Sequence, residues 1–223
     1  MLRSLAPSAA LRAPLSPTLS ADQKLMCAPD LPLLSKTAPT PFELTAAHEG
    51  ELQVFFEANP AYFLAVQGAP AGAQEAYDEI HGELPAGWSY TKKWLIGYRD
   101  PASGELVAFA SLVSDLLAHT VWHIGLFVVA TEHHGSGIAA SIFRGIEAWA
   151  RSNGALWFRL GVVAGNQRAE RFWARQGFTQ VRMREGVEIG GRLNNVRVMV
   201  KQLADQDLRS YLKLVPRDDP TLD

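Results

Sequence analysis

Cysteine is nearly missing from this chain. Cys27 is the one cysteine in 223 residues, so no internal disulfide can form and a secreted disulfide framework is excluded. It sits in a low-complexity stretch, which argues against a nucleophilic role. No uninterrupted apolar run approaches the ~18 residues needed to span a bilayer, so no membrane segment is expected. Neither sign of charge prevails: 21 Lys and Arg against 23 Asp and Glu leave −2, and nothing argues for tracking the phosphate backbone of a nucleic acid. There is no internal repeat. No lysine follows a glycine turn at P-loop spacing, which disfavours nucleotide hydrolysis. Acidic residues are missing before Asp22, where Arg3 and Arg12 stand among Ala, Ser and Leu as in an organellar leader. Pro7, Pro14 and Pro17 interrupt any amphipathic helix there, so the expectation is a flexible extension, or a start at Met26, and a cytoplasmic protein.

A hydrophobic fraction of 48% with six Trp and ten Phe suffices for one sizeable core. Residues 1–41 hold seven of the 13 prolines without a lasting period and read as an extension. Residues 42–203 read as one domain, and 204–223 as a polar, acidic tail with one helical turn. Thr45 can cap a helix over 46–58 that ends at Asn59-Pro60, and a second helical piece is expected over 71–83. Then the period shortens to two. Segments 92–99 and 106–114 flank a turn from Asp100 to Gly104 and should form an antiparallel hairpin. Segment 121–129 is apolar on both faces and belongs at the sheet centre. Beyond a glycine-rich turn, Ile138, Ile142, Ile146 and Trp149 make one helical stripe that Asn153-Gly154 ends. A buried strand over 156–163 completes a right-handed βαβ unit; a helix over 167–176 and a hairpin of 178–184 with 196–201 around Gly190-Gly191 follow. The fold class is α/β, with a mixed, mostly antiparallel sheet, a central βαβ crossover and flanking helices.

The turn His134-Gly135-Ser136-Gly137-Ile138-Ala139 joins the central strand to that helix. Such a turn aims a row of backbone N–H groups, at the positive end of the helix dipole, toward one point suited to phosphate. Gly135 and Gly137 allow close backbone approach, and Ala139 keeps the helix start thin. Alone, the turn reads equally as glycine packing. After a second strand, however, come Asn166-Gln167-Arg168-Ala169-Glu170-Arg171-Phe172-Trp173 and Gln176-Gly177-Phe178. The first segment resembles the acetyl-CoA pyrophosphate motif Q/R-x-x-G-x-G/A of the GNAT N-acetyltransferase superfamily. The second resembles that family's N-x-x-A-x-x-F-Y motif with its following Gly-Phe. The element order extends the resemblance over roughly 42–202. Two positions depart from the pattern: His134 replaces Gln or Arg, making a side-chain donor titratable, and Trp173 replaces the usual tyrosine.

The resemblance implies a GNAT-like N-acetyltransferase with acetyl-CoA as cosubstrate, no metal, and direct transfer to a small amine in a ternary complex without an acyl-enzyme. It implies that CoA wedges beside the central strand against Phe127, Val128 and Val129. The Phe127 backbone N–H would polarise the thioester carbonyl, and the Val129 main chain would hold the pantetheine arm. His134, Gly135, Ser136, Gly137, Ile138 and Ala139 would hold the diphosphate. Asn166 would tie the loop or the pantetheine amide, or cap a helix. An indole is a donor but no usable acid, so Trp173 is expected to pack against the pantetheine end while solvent protonates a thiolate of pKa ~8.5. His123, eleven residues before His134, stands at the spacing where the histone-acetylating branch holds a glutamate base. An imidazole of pKa ~6.5 suits that task; a strand histidine satisfied by a neighbouring carbonyl is the alternative.

In this family the first helices and the loop after them form the acceptor pocket, which here offers Tyr62, Phe63, Tyr77, Glu79, Trp88 and Tyr90. Aromatics with one or two carboxylates suit a small amine, although any one aromatic can belong to the core. Family members often form a homodimer, through the C-terminal strands. A non-catalytic CoA-binding module is the rival reading, prompted by Trp173 and His134. A metal site built from His119, His123, His133 and His134 is disfavoured, since His119 and His123 on one strand would lie about 13 Å apart.

Overall fold

The structure, a computed structural model, describes residues 31–32, 38–85 and 87–222. Arg3, Arg12, Met26 and Cys27, on which the expectations for the leading segment rest, lie outside the described residues.

The first strand is one that composition conceals. β1 (Thr40–Glu43) is too short for a period to register, and it pairs antiparallel with β2 (Lys93–Arg99). After a 3-10 turn over Ala46–His48, α1 (Glu49–Ala58) buries Leu52, Phe55 and Phe56. The expected stop at Asn59-Pro60 is also a restart. Proline takes the first position of α2 (Pro60–Gln67), where its missing N–H costs no helical bond. Gly68, with φ 76°, ends α2. α3 (Glu75–His81) is shorter than the expected 71–83, because the Glu75 carboxylate accepts the Gly72 N–H at 3.1 Å and holds that turn outside the helix.

β3 (Leu106–Val113), β4 (Val121–Val129), α4 (Ile138–Ser152), β5 (Trp157–Val163) and α5 (Gln167–Arg175) fall within a residue or two of expectation. β6 (Thr179–Ile189) and β7 (Arg192–Gln202) run longer than the expected hairpin and meet at Gly190-Gly191, whose φ of 59° and 79° favour glycine. The strands form one seven-stranded sheet in the order β1-β2-β3-β4-β5-β7-β6. Its pairs are antiparallel except β4 with β5, the two strands joined by α4.

The sheet is buried on both faces. On one, the α4 residues Ile142, Phe143, Ile146 and Trp149 cover Trp122, Ile124 and Phe158. Trp94, Trp122 and Trp149 meet there with ring centroids 4.8, 5.1 and 5.2 Å apart. On the other face, Phe55, Phe56 and Phe63 from α1 and α2 pack on Phe109, Leu126 and Val128.

The segment expected as a polar tail from 204 onward packs on the sheet. α6 (Leu208–Leu214) sets Tyr211, followed by Val215, against Val121, Trp157 and Val200. The next turn buries Asp218, which accepts from Arg159 Nε at 2.7 Å, Arg159 Nη2 at 2.9 Å and the Tyr211 hydroxyl at 2.6 Å. Composition cannot show this, because the partner of the acid lies 59 residues upstream.

Burial pushes the Asp218 carboxyl up, but the Arg159 guanidinium and the Tyr211 hydroxyl outweigh it and hold the group below its ordinary 3.8. The ion pair therefore stabilises fully above about pH 4 and is lost as pH falls through the lowered value. Asp218→Ala leaves Arg159, 4% exposed at its side chain, without a counter-charge. Urea unfolding at pH 7 should show a loss of about 3–5 kcal/mol, and the gap to wild type should narrow below pH 4.

Candidate active site

The site begins where two strands part. β4 and β5 pair only from Val121↔Trp157 to Ile124↔Leu160. Beyond that point β4 stays paired with β3 as far as Val129, and β5 with β7 as far as Val163. A V-shaped gap opens between them. At its apex the β3–β4 register steps: Ser111 faces Leu126 and Leu112 faces Ile124, leaving Gly125 as the extra residue of a bulge. Gly125 and Gly161, each the first residue past the last pair, are the exposed residues of strands otherwise buried or half-buried.

The bulge decides which backbone groups face the gap. Ala130 N–H donates to Val107 O at 2.8 Å, so the alternation of an antiparallel pair turns Val128 toward β3 and Phe127 and Val129 away from it. The N–H and C=O of Phe127 and Val129 thus point into the gap. Val128, included above among the cosubstrate contacts, does not share that orientation: its main chain serves β3 and its side chain is buried on the α1–α2 face.

The glycine turn closes the wide end of the gap. Gly135 and Gly137 have φ of 86° and 89°, and a Cβ at either would meet no atom within 4 Å. Among the described residues, none accepts a backbone hydrogen bond from Gly135, Gly137, Ala139 or Ala140. These amides converge at the start of a fifteen-residue helix and can hold an anionic group. The Ser136 hydroxyl donates to His133 O at 2.7 Å and accepts from Ile138 N–H at 3.3 Å, which fixes the turn internally.

His134 behaves differently from the expected phosphate donor. Its Nε2 lies 2.9 Å from Val129 O, and because a carbonyl only accepts, Nε2 carries the proton. Nδ1 is then an acceptor, buried and without a partner among the described residues. Burial, followed by the nearby charge of Arg168, lowers the imidazole below its ordinary 6.5 against the hydrogen bond to Val129. The ring therefore closes the Val129 carbonyl, the group expected to hold the pantetheine arm.

Aromatic rings line the α5 side. Phe127 stacks on Phe172 at 5.9 Å, and Trp173 packs beneath both, 5.7 Å from Phe127 and 4.9 Å from Phe172. Trp173 is 7% exposed and reaches Phe143 and Phe178 as well, so it is a core ring supporting Phe127. Asn166 caps α5, its Oδ1 accepting Ala169 N–H at 3.2 Å. Sequence reasoning passed over Phe172 and Arg168, although both lie inside the second motif. Phe172 meets Phe127, and Arg168 the glycine turn, only through the fold.

His123 lies on the opposite face, level with Val113 and Arg159 on the flanking strands. Its Nδ1 is buried without a partner among the described residues. Burial, then the charge of Arg159, pushes the imidazole down to about 3. A group so reluctant to hold a proton is a weak base at neutral pH, which undercuts the expected role. His119 is not in β4 but in the preceding loop, exposed, 3.2 Å from Asp115.

The expected acceptor aromatics scatter. Tyr62 sits at the edge of the α1–α3 core, within reach of Glu75 and Glu79. Phe63 is core. Tyr77, 48% exposed, packs at a tilt against His81 at the surface, and Tyr90 is 45% exposed, so neither joins Tyr62. Trp88 packs under Arg217 at 4.9 Å, tying the α3–β2 loop to the C-terminal segment.

A model of the GNAT acetyltransferase family matches residues 52–178. An uncharacterized N-acetyltransferase of Mycobacterium tuberculosis is 39% identical over 71 residues, 32% of this chain and 45% of that protein; the chain thus spans about half the length of the curated relatives it matches. The fold is shared with an acetyltransferase from Thermus thermophilus (TM-score 0.58, 15% identity, 74% of this chain and 97% of that one). It is also shared with the spermidine N-acetyltransferase from Vibrio cholerae in complex with CoA and spermine (TM-score 0.56, 16% identity, 74% and 95%).

The neutral burial of His123 has a measurable consequence. The unfolded imidazole takes a proton near 6.5 and the folded one near 3, so this group lowers stability progressively as pH falls between those values. The drop in urea midpoint from pH 7 to pH 5 should be smaller in His123→Gln than in wild type. Equal drops would refute the assignment.

Proposed function

The chain belongs to the GNAT acetyltransferase family, and from that premise we propose that it is an acetyl-CoA-dependent N-acetyltransferase acting on a small amine by direct attack in a ternary complex. The observation that carries the reading is the gap between β4 and β5, with the Phe127 N–H directed into it. That amide is positioned to stabilise the oxyanion that develops on a thioester carbonyl, a preorganised donor of the kind that dominates acyl transfer. The free amides of Gly135, Gly137, Ala139 and Ala140 suit a diphosphate, and Arg168 adds positive charge beside them. Phe172 and Phe127 give the pantetheine arm an apolar wall.

The contact between the β6–β7 turn and α2 supports a small acceptor. A Cβ on Gly190 would lie 2.5 Å from Gln67 Cβ, and the Arg192 side chain lies beside Gly68, so the β6–β7 turn touches the end of α2. It narrows the space beside Tyr62 and Val163, which favours a small amine over a bulky protein surface. Trp173 supplies no acid, and a thiolate of pKa ~8.5 is a tolerable leaving group near neutrality. The second reading, a CoA-binding module without turnover, is favoured by the His134 ring on the Val129 carbonyl.

Calorimetric titration with acetyl-CoA should give micromolar binding. Gly137→Glu, which places a carboxylate in the turn, should weaken it more than tenfold; a melting curve checks that the variant folds. Thiol release in the presence of primary amines identifies the enzyme. Binding without thiol release from any amine identifies the module, and no binding by wild type refutes both.

A further inference from the structure

The gap is open on the side of α1–α3 because two side chains are missing there. A Cβ on Gly125 would point to Ser111 Oγ at 3.6 Å, and one on Gly161 would press on Val196 Cγ1 at 3.0 Å. Val196 packs on the cluster of Val66, Val163 and Ile189, as Tyr62 does, so both absent side chains would project toward the helices of that face. Above this opening stand groups that the reaction as described does not use. Glu79 of α3 lies beside the buried Ser111, with its Oε1 3.9 Å from Lys93 Nζ. The Lys93 ammonium is mostly engaged elsewhere: it donates to Glu79 O at 2.5 Å and to Gly82 O at 3.4 Å. The Glu79 side chain keeps 12% exposure.

A second carboxylate stands behind it. Glu75 is 2% exposed; its Oε2 accepts the Gly72 N–H, while Oε1 is sealed and has no partner among the described residues. A buried carboxylate oxygen without a donor is an acceptor in wait. Tyr62 completes the group, its hydroxyl pushed up by burial and then by the charges of Glu79 and Glu75.

We propose that the acceptor binds as a primary ammonium seated between Glu79 and Glu75 against Tyr62, and that Glu79 is the base that takes its proton. This rests on the acetyl-transfer reading above. The Glu79 carboxylate removes one proton from the ammonium and becomes the acid. The neutral nitrogen then attacks the thioester carbon from the open side of Gly125, forming the C–N bond while the oxyanion forms at the Phe127 amide. As the C–S bond breaks, the nitrogen yields its surplus proton to the departing sulfur. Amide and thiol result, and Glu79 returns its proton to solvent.

The surroundings match the task. Burial raises the Glu79 carboxyl, the Lys93 ammonium and the Ser111 hydroxyl oppose that shift, and Glu75 adds to it. The groups facing Glu79 are Lys93 from β2, Tyr62 from α2, Ser111 from β3 and Glu75 from its own helix. A carboxylate with a raised proton affinity is the better base near neutral pH. His123, on the same face, lacks that affinity.

The test is a pH profile of kcat/KM for the best acceptor in a panel running from n-butylamine to the dipeptide Ala-Ala, with acetyl-CoA affinity measured in parallel. Wild type should show an acidic limb. Glu79→Gln should lose that limb and about 100- to 1000-fold in kcat with unchanged acetyl-CoA affinity, and Glu79→Asp should recover part of the loss. Glu75→Gln should raise KM for the amine more than tenfold and leave kcat within a few-fold. Lys93→Met, which removes the opposing cation, should move the limb to higher pH. The proposal is overturned if Glu79→Gln keeps the wild-type limb and kcat, if His123→Gln abolishes the limb instead, or if wild type binds acetyl-CoA yet accepts no amine of the panel. A wild type that does not bind acetyl-CoA overturns the acetyl-transfer reading itself, and this inference with it.

Discussion

Everything in the site depends on two parallel strands that stop pairing after four residues. Main-chain groups without partners in the middle of a sheet are costly, and a sheet left to itself would close. Here both arms of the V are pinned from outside, β4 by β3 as far as Val129 and β5 by β7 as far as Val163. The bulge at Gly125 re-aims β4 at the apex, and the Phe127, Phe172 and Trp173 rings wedge the α5 side. The groups exposed in this way are directed rather than disordered, which is what a preorganised binding slot requires. His134 satisfies one of them, the Val129 carbonyl, and leaves the Phe127 amide untouched.

Charge is divided between the two ends of this slot. The wide end carries helix-terminal amides and Arg168, a setting for an anion. The opposite face carries Glu75 and Glu79, a setting for a cation. A net charge of −2 hides this polarity, since a sum over the chain carries no positions. Under the proposed reading, reactants of opposite sign would reach the Phe127 amide from different faces without competing for one entrance.

Much of this was legible in the residues, and the rest was hidden for identifiable reasons. β4, α4 and β5 were readable because each is long and strongly patterned, and the glycine turn because Gly135 and Gly137 need left-handed backbone. α2 was missed because Pro60 signals a stop and a start equally well. β1 was too short to show a period. Around the gap, the shape of the glycine turn was legible from local chemistry, whereas the surroundings of Glu75 and Arg168 arise only from what the fold brings beside them. His123 illustrates the limit most directly: spacing suggested a base, while burial beside Arg159 lowers its proton affinity, which spacing cannot show.

The Arg159–Asp218 pair bears on how the chain comes to be folded. The two residues are 59 positions apart, so at a synthesis rate of about 5–20 residues per second the arginine waits roughly 3–12 s for its carboxylate. During that interval β5 carries a cation that the sheet cannot bury cheaply, and β7, its other neighbour, emerges only shortly before Asp218. The strand that forms one wall of the slot is therefore among the last to settle. A nascent chain would expose its half-built sheet for seconds, a window in which chaperone capture and misassembly compete with native closure.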